Sequence, residues 1–96
     1  MNSENPSRQE QIVLWLAKTP AVGIPVRSGP KEGFFVNRGT IFKLKNGEQV
    51  EALDWLDKEG IRDSMTISGY RVVYQAAGAY GEKLTFFKDA VASAPF

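Results

Sequence analysis

The sequence predicts an α+β fold with the element order α-β-β-α-β-β, in which an antiparallel sheet packs against one or two helices in two layers. Three observations lead to this prediction. Two segments carry the capping residues and the apolar spacing of helices. Two further segments, residues 70–76 and 83–88, are rich in β-formers, and the first alternates large and polar side chains. Phenylalanine and valine at 34–36 and the alternating residues 40–45 predict another strand pair.

The first predicted helix begins at Ser7 and ends before Pro20. Ser7 and Glu10 have the spacing of a capping box, in which each side chain accepts a hydrogen bond from the other residue's amide. Pro20 disfavours helical geometry at Thr19 and so ends the helix. The side chains that gather on one side of this helix, and that we expect to be buried, are Ile12, Val13, Trp15 and Leu16.

Residues 19–33 contain three prolines and three glycines, which exclude a helix. The alternation of Val22, Ile24 and Val26 predicts a short edge strand or an extended segment packed on the core. We expect residues 27–33 to form an exposed basic loop. An alternative winged-helix fold would use residues 70–88 as the wing, but it needs a helix between residues 20 and 33, which the prolines oppose.

The stretch that follows residues 34–36 allows two different hairpins. Residues 37–39 suit a three-residue loop with Gly39 in the left-handed conformation, which pairs residues 34–36 with 40–45. Asn46-Gly47 is a strong turn signal that would instead pair residues 40–45 with 48–53. Residues 48–59 consist largely of good helix formers, and Gly60 suits the residue after a helix end. We therefore predict the first hairpin and a second helix capped by Asn46.

Composition excludes several functions. The chain has no cysteine and no histidine, so disulfides, cysteine-ligated metals and histidine-based catalysis are absent. No phosphate-binding loop or serine nucleophile motif has the required spacing. We therefore expect neither catalysis nor a cofactor nor a metal. The longest apolar run, residues 12–17, is too short to span a bilayer. The first residues carry no basic residue and no apolar stretch, so we do not expect them to form a signal peptide. We expect a soluble, cytoplasmic protein without membrane contact, with one domain at 7–90, a disordered tail at 1–6 and a flexible tail at 91–96.

Charge is distributed unevenly along the chain. Residues 1–45 carry seven basic and three acidic residues, whereas residues 46–96 carry five basic and eight acidic ones. This asymmetry predicts two charged surfaces. The residues of the basic hairpin are Arg27, Lys31, Arg38, Lys43 and Lys45, and those of the acidic helix face are Glu51, Asp54 and Lys58. Tyr80, in the glycine-containing loop 77–82, is a third candidate contact because aromatic residues are common at interface hot spots.

These surfaces favour a small non-enzymatic binding module that acts through protein–protein contact, such as a regulator or an inhibitor of a larger protein. The alternative is a nucleic-acid-binding domain that uses the basic aromatic hairpin at 27–45, because single strands stack on aromatic rings while cations track the phosphates. Strand alternation separates Lys43 and Lys45 from Phe42, which favours a Phe42 packed in the core and a solvated lysine face over nucleic-acid binding. Two oppositely charged surfaces also permit head-to-tail self-association.

Overall fold

The computed structural model describes residues 7–28, 31–76, 78 and 81–88. Its elements are α1 (Arg8–Ala17), β1 (Ile24–Ser28), β2 (Lys31–Asn37), β3 (Ile41–Lys43), β4 (Gln49–Glu51), α2 (Ala52–Lys58), β5 (Thr66–Ile67), β6 (Tyr70–Gln75) and β7 (Lys83–Lys88). Five strands form an antiparallel sheet in the order β1-β2-β7-β6-β5, and β3 and β4 form a separate hairpin. The predicted α+β fold class is confirmed, and the two predicted tails fall outside the described residues.

The core lies between the two helices and one face of the five-stranded sheet. Phe34 of β2 stands opposite Phe86 of β7, and their rings stack with centroids 4.8 Å apart. The buried apolar side chains that complete this core are Ile12, Val13, Leu16, Val22, Val36, Ala52, Leu53, Trp55, Leu56, Ile61, Ile67, Val72 and Leu84. Both helices and the strands β2, β5, β6 and β7 contribute to a single cluster, so these elements depend on one another for stability.

Helix α1 begins as predicted. The Ser7 hydroxyl accepts a hydrogen bond from the Glu10 amide, and the Glu10 carboxylate accepts one from the Ser7 amide, each at 3.1 Å. The prediction that Trp15 is buried is wrong, because this residue is 38% exposed. It lies at the edge of the buried stripe, where its ring contacts Phe42 of β3 with centroids 5.4 Å apart.

The prediction of a basic loop at residues 27–33 is also wrong, since these residues belong largely to the β1–β2 hairpin. Arg27 stands opposite Glu32, and Val26 stands opposite Gly33. The expected edge strand is confirmed as β1, and its position at the sheet edge accommodates Pro25, which has no amide to donate. Gly33 allows β2 to approach β7 closely, because a Cβ at this position would lie 1.8 Å from the carbonyl oxygen of Phe86.

Residues 34–36 and 40–45 do not pair with each other. β2 has β1 on one side and β7 on the other, so neither of its edges is free to receive β3. The turn at residues 37–39 does form, with Gly39 at a φ of 100°. It leads the chain out of the sheet, and β3 pairs with β4 instead.

The prediction that Asn46 caps the second helix is also wrong, because the residues that follow it pair with β3. Asn46-Gly47 forms the turn between β3 and β4, in which the Asn46 side chain accepts from the Glu48 amide at 2.8 Å and Gly47 has a φ of 91°. Helix α2 begins only at Ala52, and its N-cap is Glu51, whose carboxylate accepts from the Asp54 amide at 2.9 Å. Packing of Phe42 and Val50 against the core outweighs the helix propensity of residues 48–51.

The end of α2 agrees with the prediction. Gly60 has a φ of 83° and follows the C-cap residue Glu59. The amides of Gly60 and Ile61 donate to the carbonyl oxygens of Asp57 and Leu56, each at 3.0 Å. These two bonds form a Schellman motif, which satisfies carbonyl groups that the end of the helix would otherwise leave unpaired.

We expect the substitution Gly33→Ala to lower the free energy of unfolding by at least about 2 kcal/mol, because the added methyl group forces β2 away from β7. The measurement is urea denaturation followed by circular dichroism. Gly78→Ala is the matched control: a Cβ at Gly78 meets nothing within 4 Å, and we expect a change within about 0.5 kcal/mol. Equal denaturation midpoints for the two variants would contradict the close approach at Gly33.

Candidate binding surfaces

The five cations predicted as one basic hairpin lie on different elements. Arg27 is exposed on β1, and Lys31 begins β2, with its side chain outside what the structure describes. Arg38 lies in the turn between β2 and β3. Lys43 and Lys45 are exposed at and just after the end of β3. Of the five, Lys43 and Lys45 stay close in the chain, one at the end of β3 and the other in the turn that follows it.

Arg38 connects the predicted basic and acidic surfaces. Its Nε donates to the Glu82 carboxylate at 2.5 Å, and its Nη1 lies 3.8 Å from Glu51 and 3.7 Å from Asp54. Glu51 also accepts a hydrogen bond from the Gly39 amide at 2.7 Å. The predicted acidic face is thus largely engaged within the chain, and only Lys58, exposed at the end of α2, lies apart from these contacts.

The aromatic residues of the 27–45 segment do not form a stacking surface beside Arg38, Lys43 and Lys45. Phe34 is buried, and Phe42 lies between Trp15 and Trp55 with centroid distances of 5.4 and 5.0 Å. Phe35 faces the opposite side of the sheet, where the Lys83 ammonium lies 4.8 Å from its ring centroid. Tyr80, the third predicted contact, lies outside the described residues.

An open cleft of about 430 Å³ lies between α2 and the adjoining ends of β6 and β7. The residues that line it are Arg38, Leu53, Asp54, Asp57, Ile61, Arg62, Asp63, Tyr74, Glu82 and Leu84. Its polar groups bond mainly to one another: Arg62 pairs with Asp57, and the Asp63 carboxylate accepts from the Tyr74 amide at 2.7 Å.

Two groups in this cleft have shifted pKa values that oppose proton transfer near neutral pH. Hydrogen bonds from Arg38 and then from Tyr74 lower the pKa of Glu82, so its carboxyl group stays ionised. The bond to Glu82 raises the pKa of Tyr74, so its phenol stays protonated. A general acid or base works best when its pKa lies near the working pH, and these contacts move both groups away from it.

The β3–β4 hairpin has an open edge along β3. The amide of Leu44 donates to Glu48 and the amide of Ala52 donates to Thr40, each at 2.8 Å, while Phe42 stands opposite Val50. The even-numbered residues of β3 therefore direct their backbone groups toward β4. Because these directions alternate along an antiparallel strand, the N–H and C=O groups of Ile41 and Lys43 point away from β4. Among the described residues, β4 is the one strand that pairs with β3.

The side chains along this edge differ between its two faces. Ile41 and Lys43 point outward, and Ile41 is 63% exposed. Lys45 is exposed in the turn that follows β3. Phe42 points inward and lies against the partly exposed Trp15. We call the surface formed by Trp15, Ile41, Phe42, Lys43 and Lys45 the β3 edge surface.

The edges of the main sheet are protected in ways that the β3 edge is not. Pro25 interrupts the amide row of β1. The other edge strand, β5, is only two residues long. Beyond it, the backbone of Val72 in β6 exchanges hydrogen bonds with Ser64 and Met65, and the Asp63 carboxylate accepts a hydrogen bond from the Tyr74 amide. Within the described part of the chain, β3 has neither a proline nor a covering loop of this kind.

Sequence reasoning did not identify Ile41 or Trp15 as contact residues. The signals for Ile41 were present: residues 40–45 alternate, and Asn46-Gly47 follows them directly. Reading that turn as a hairpin would have placed Ile41 on an outward face. For Trp15, helical periodicity shows only which side of α1 is apolar, and it does not show how far the covering layer extends.

Comparisons with protein-family models, with curated proteins and with solved structures find no match for this chain. No helix in the described ranges is long and apolar enough to cross a membrane. Across the same residues, no group of three or more acidic side chains is arranged to hold a metal ion.

We expect Arg38→Gln to raise the pKa of Glu82 toward its ordinary value of 4.5, and Tyr74→Phe to raise it less, because Arg38 is the larger cause of the lowered value. An NMR titration of the glutamate side-chain carbons measures both shifts. Since the folded-state pKa is the lower one, the stabilising contribution of Glu82 is present above pH 4.5 and is lost as the pH falls through the folded value. Arg62→Gln, which removes the partner of Asp57, is the control and should leave the Glu82 pKa unchanged. An equal or larger shift in Tyr74→Phe would contradict this order.

Proposed function

We propose that the protein is a small binding module that acts through protein–protein contact, and that it binds an extended segment of its partner as an additional strand beside β3. The observation that carries this proposal is the open edge of β3, where the backbone groups of Ile41 and Lys43 point away from β4. The exposed side chain of Ile41 lies on the same edge. Strand addition gives affinity through backbone hydrogen bonds and specificity through alternating side chains.

The energy available at this edge is sufficient for a moderate interaction. Ile41 and Lys43 offer two amides and two carbonyl groups, and each hydrogen bond contributes about 0.5–1.5 kcal/mol net. Covering the exposed part of Ile41 contributes about 1 kcal/mol more. Trp15 adds an aromatic contact of the type that is enriched among interface hot spots.

The arrangement of the side chains supports a protein partner over nucleic acid. Phe34 and Phe42 are packed within the fold, and Lys83 lies over the ring of Phe35. The sequence isoelectric point of about 8.0 is also lower than that of a dedicated nucleic-acid-binding domain. We propose that the module regulates or inhibits its partner in the cytoplasm, which the lack of cysteine supports.

The substitution Ile41→Pro tests this function. It removes an amide that points away from β4, so the β3–β4 hydrogen bonds remain while the edge can no longer receive a strand. In affinity capture from cell extract, we expect proteins retained by the unchanged chain to be lost with Ile41→Pro. Titration of a purified captured protein should then give a Kd at least about tenfold weaker, which corresponds to the loss of about one hydrogen bond.

Gln49→Pro is the matched control, because the Gln49 amide points away from β3 on the opposite edge of the same hairpin. We expect this variant to retain the same proteins, and both variants to keep the circular dichroism spectrum of the unchanged chain. Equal affinity of Ile41→Pro for the captured protein would contradict the proposal. Salt-dependent binding of single-stranded oligonucleotides, tighter than about 10⁻⁶ M, would favour the nucleic-acid alternative.

A further inference from the structure

We infer that the segment added beside β3 is acidic on its outward face and apolar on its inward face, so that carboxylate and apolar side chains alternate along it. This inference rests on the proposed strand addition and names the chemistry of the partner. It follows from three properties of the β3 edge surface: its two lysines, the charge of the opposite hairpin edge, and the aromatic pair beneath it.

The outward face requires negative charge in the partner. Residues directly opposite each other in neighbouring antiparallel strands have Cβ atoms about 4.5–5.5 Å apart, so outward residues of the added strand meet Ile41 and Lys43. A residue further along the added strand approaches Lys45, which is exposed in the turn after β3. Neither lysine takes part in an ion pair with any described residue. Carboxylates opposite Lys43 and Lys45 are therefore favourable, whereas cations there would repel them.

The two edges of the hairpin differ in charge, which directs an acidic strand to one of them. Glu48 and Glu51 lie on the β4 side, and Asp54 follows in the first turn of α2. Arg38, which bonds to Glu82, also lies near Glu51 and Asp54 and offsets part of their negative charge. An acidic strand is thus repelled from β4 and attracted to the lysines on β3.

The inward face requires apolar side chains in the partner. Inward residues of the added strand lie beside Phe42, which itself contacts Trp15. Trp15 is 38% exposed, so its indole is available to cover such a side chain. Neither ring has a hydrogen-bond acceptor, so a donor side chain at this position would lose water without replacing its hydrogen bond, whereas an apolar side chain loses nothing.

A second copy of this chain fits the edge poorly. Antiparallel pairing of β3 with β3 of another copy would bring Lys43 and Lys45 of both copies into one short ladder. Registers that set these lysines directly opposite one another are destabilised by like-charge repulsion, and no register supplies a carboxylate opposite them from β3. The occupant that the charges favour is therefore a segment of a different, acidic protein.

The inference can be tested by selection from a library of random 12-residue peptides displayed on phage, with the full chain immobilised. We expect the enriched peptides to carry Asp or Glu at every second position and apolar residues between them. The double variant Lys43→Glu with Lys45→Glu should select Lys or Arg at those positions instead. Lys58→Glu, which changes an exposed lysine on α2, is the control and should select the same peptides as the unchanged chain.

An enriched acidic peptide, synthesised and titrated in solution, should bind the double variant at least about tenfold more weakly than the unchanged chain, with an affinity that falls as salt rises. Peptides lost with Ile41→Pro but without acidic bias would overturn the inference and leave the proposed function standing. Enrichment that Ile41→Pro does not reduce, or no enrichment above that variant, would overturn both. A dimer in sedimentation that Ile41→Pro dissociates would identify a second copy as the occupant and overturn the acidic partner.

Discussion

The pairing of β2 with β7 is the constraint on which the rest of this structure depends. Phe34 and Phe86 stack across it, and Gly33 lets the two backbones approach closely. Because β1 occupies the other side of β2, the chain that leaves β2 cannot pair beside it. It forms a hairpin of its own with β4, and a separate two-stranded hairpin has two edges. The open edge of β3 is therefore a consequence of the way the main sheet is filled.

A cluster of three aromatic rings attaches that hairpin to the domain. Phe42 contacts Trp15 of α1 and Trp55 of α2, and the two tryptophans lie 6.0 Å apart in an edge-to-face arrangement. An isolated two-stranded hairpin is only marginally stable in water, so this packing is what holds β3 and β4 in place. It buries one face of β3 and leaves the other face, with Ile41 and the lysines, in solvent.

Charges that are far apart in the sequence meet in the folded chain. Arg38, from the basic half, bonds to Glu82 and lies near Glu51 and Asp54 from the acidic half. The charge balance of each half is a property of the chain, whereas a binding surface depends on which residues the turns bring together. For this reason the basic residues of the predicted hairpin do not form one patch: Lys43 and Lys45 are exposed at and just after the end of β3, and Arg38 lies among the acidic residues instead.

Local interactions by themselves determined the α+β class, the capping box of α1, the Gly60 end of α2 and the strands β6 and β7, because each depends on residues a few positions apart. Only the tertiary structure decided the partner of β3 and the first residue of α2. Residues 46–51 have sequence signals for both a turn and a helix. Because β1 and β7 occupy both sides of β2, β3 cannot pair with β2. The packing of Phe42 and Val50 against core residues that are distant in the sequence then selects the hairpin.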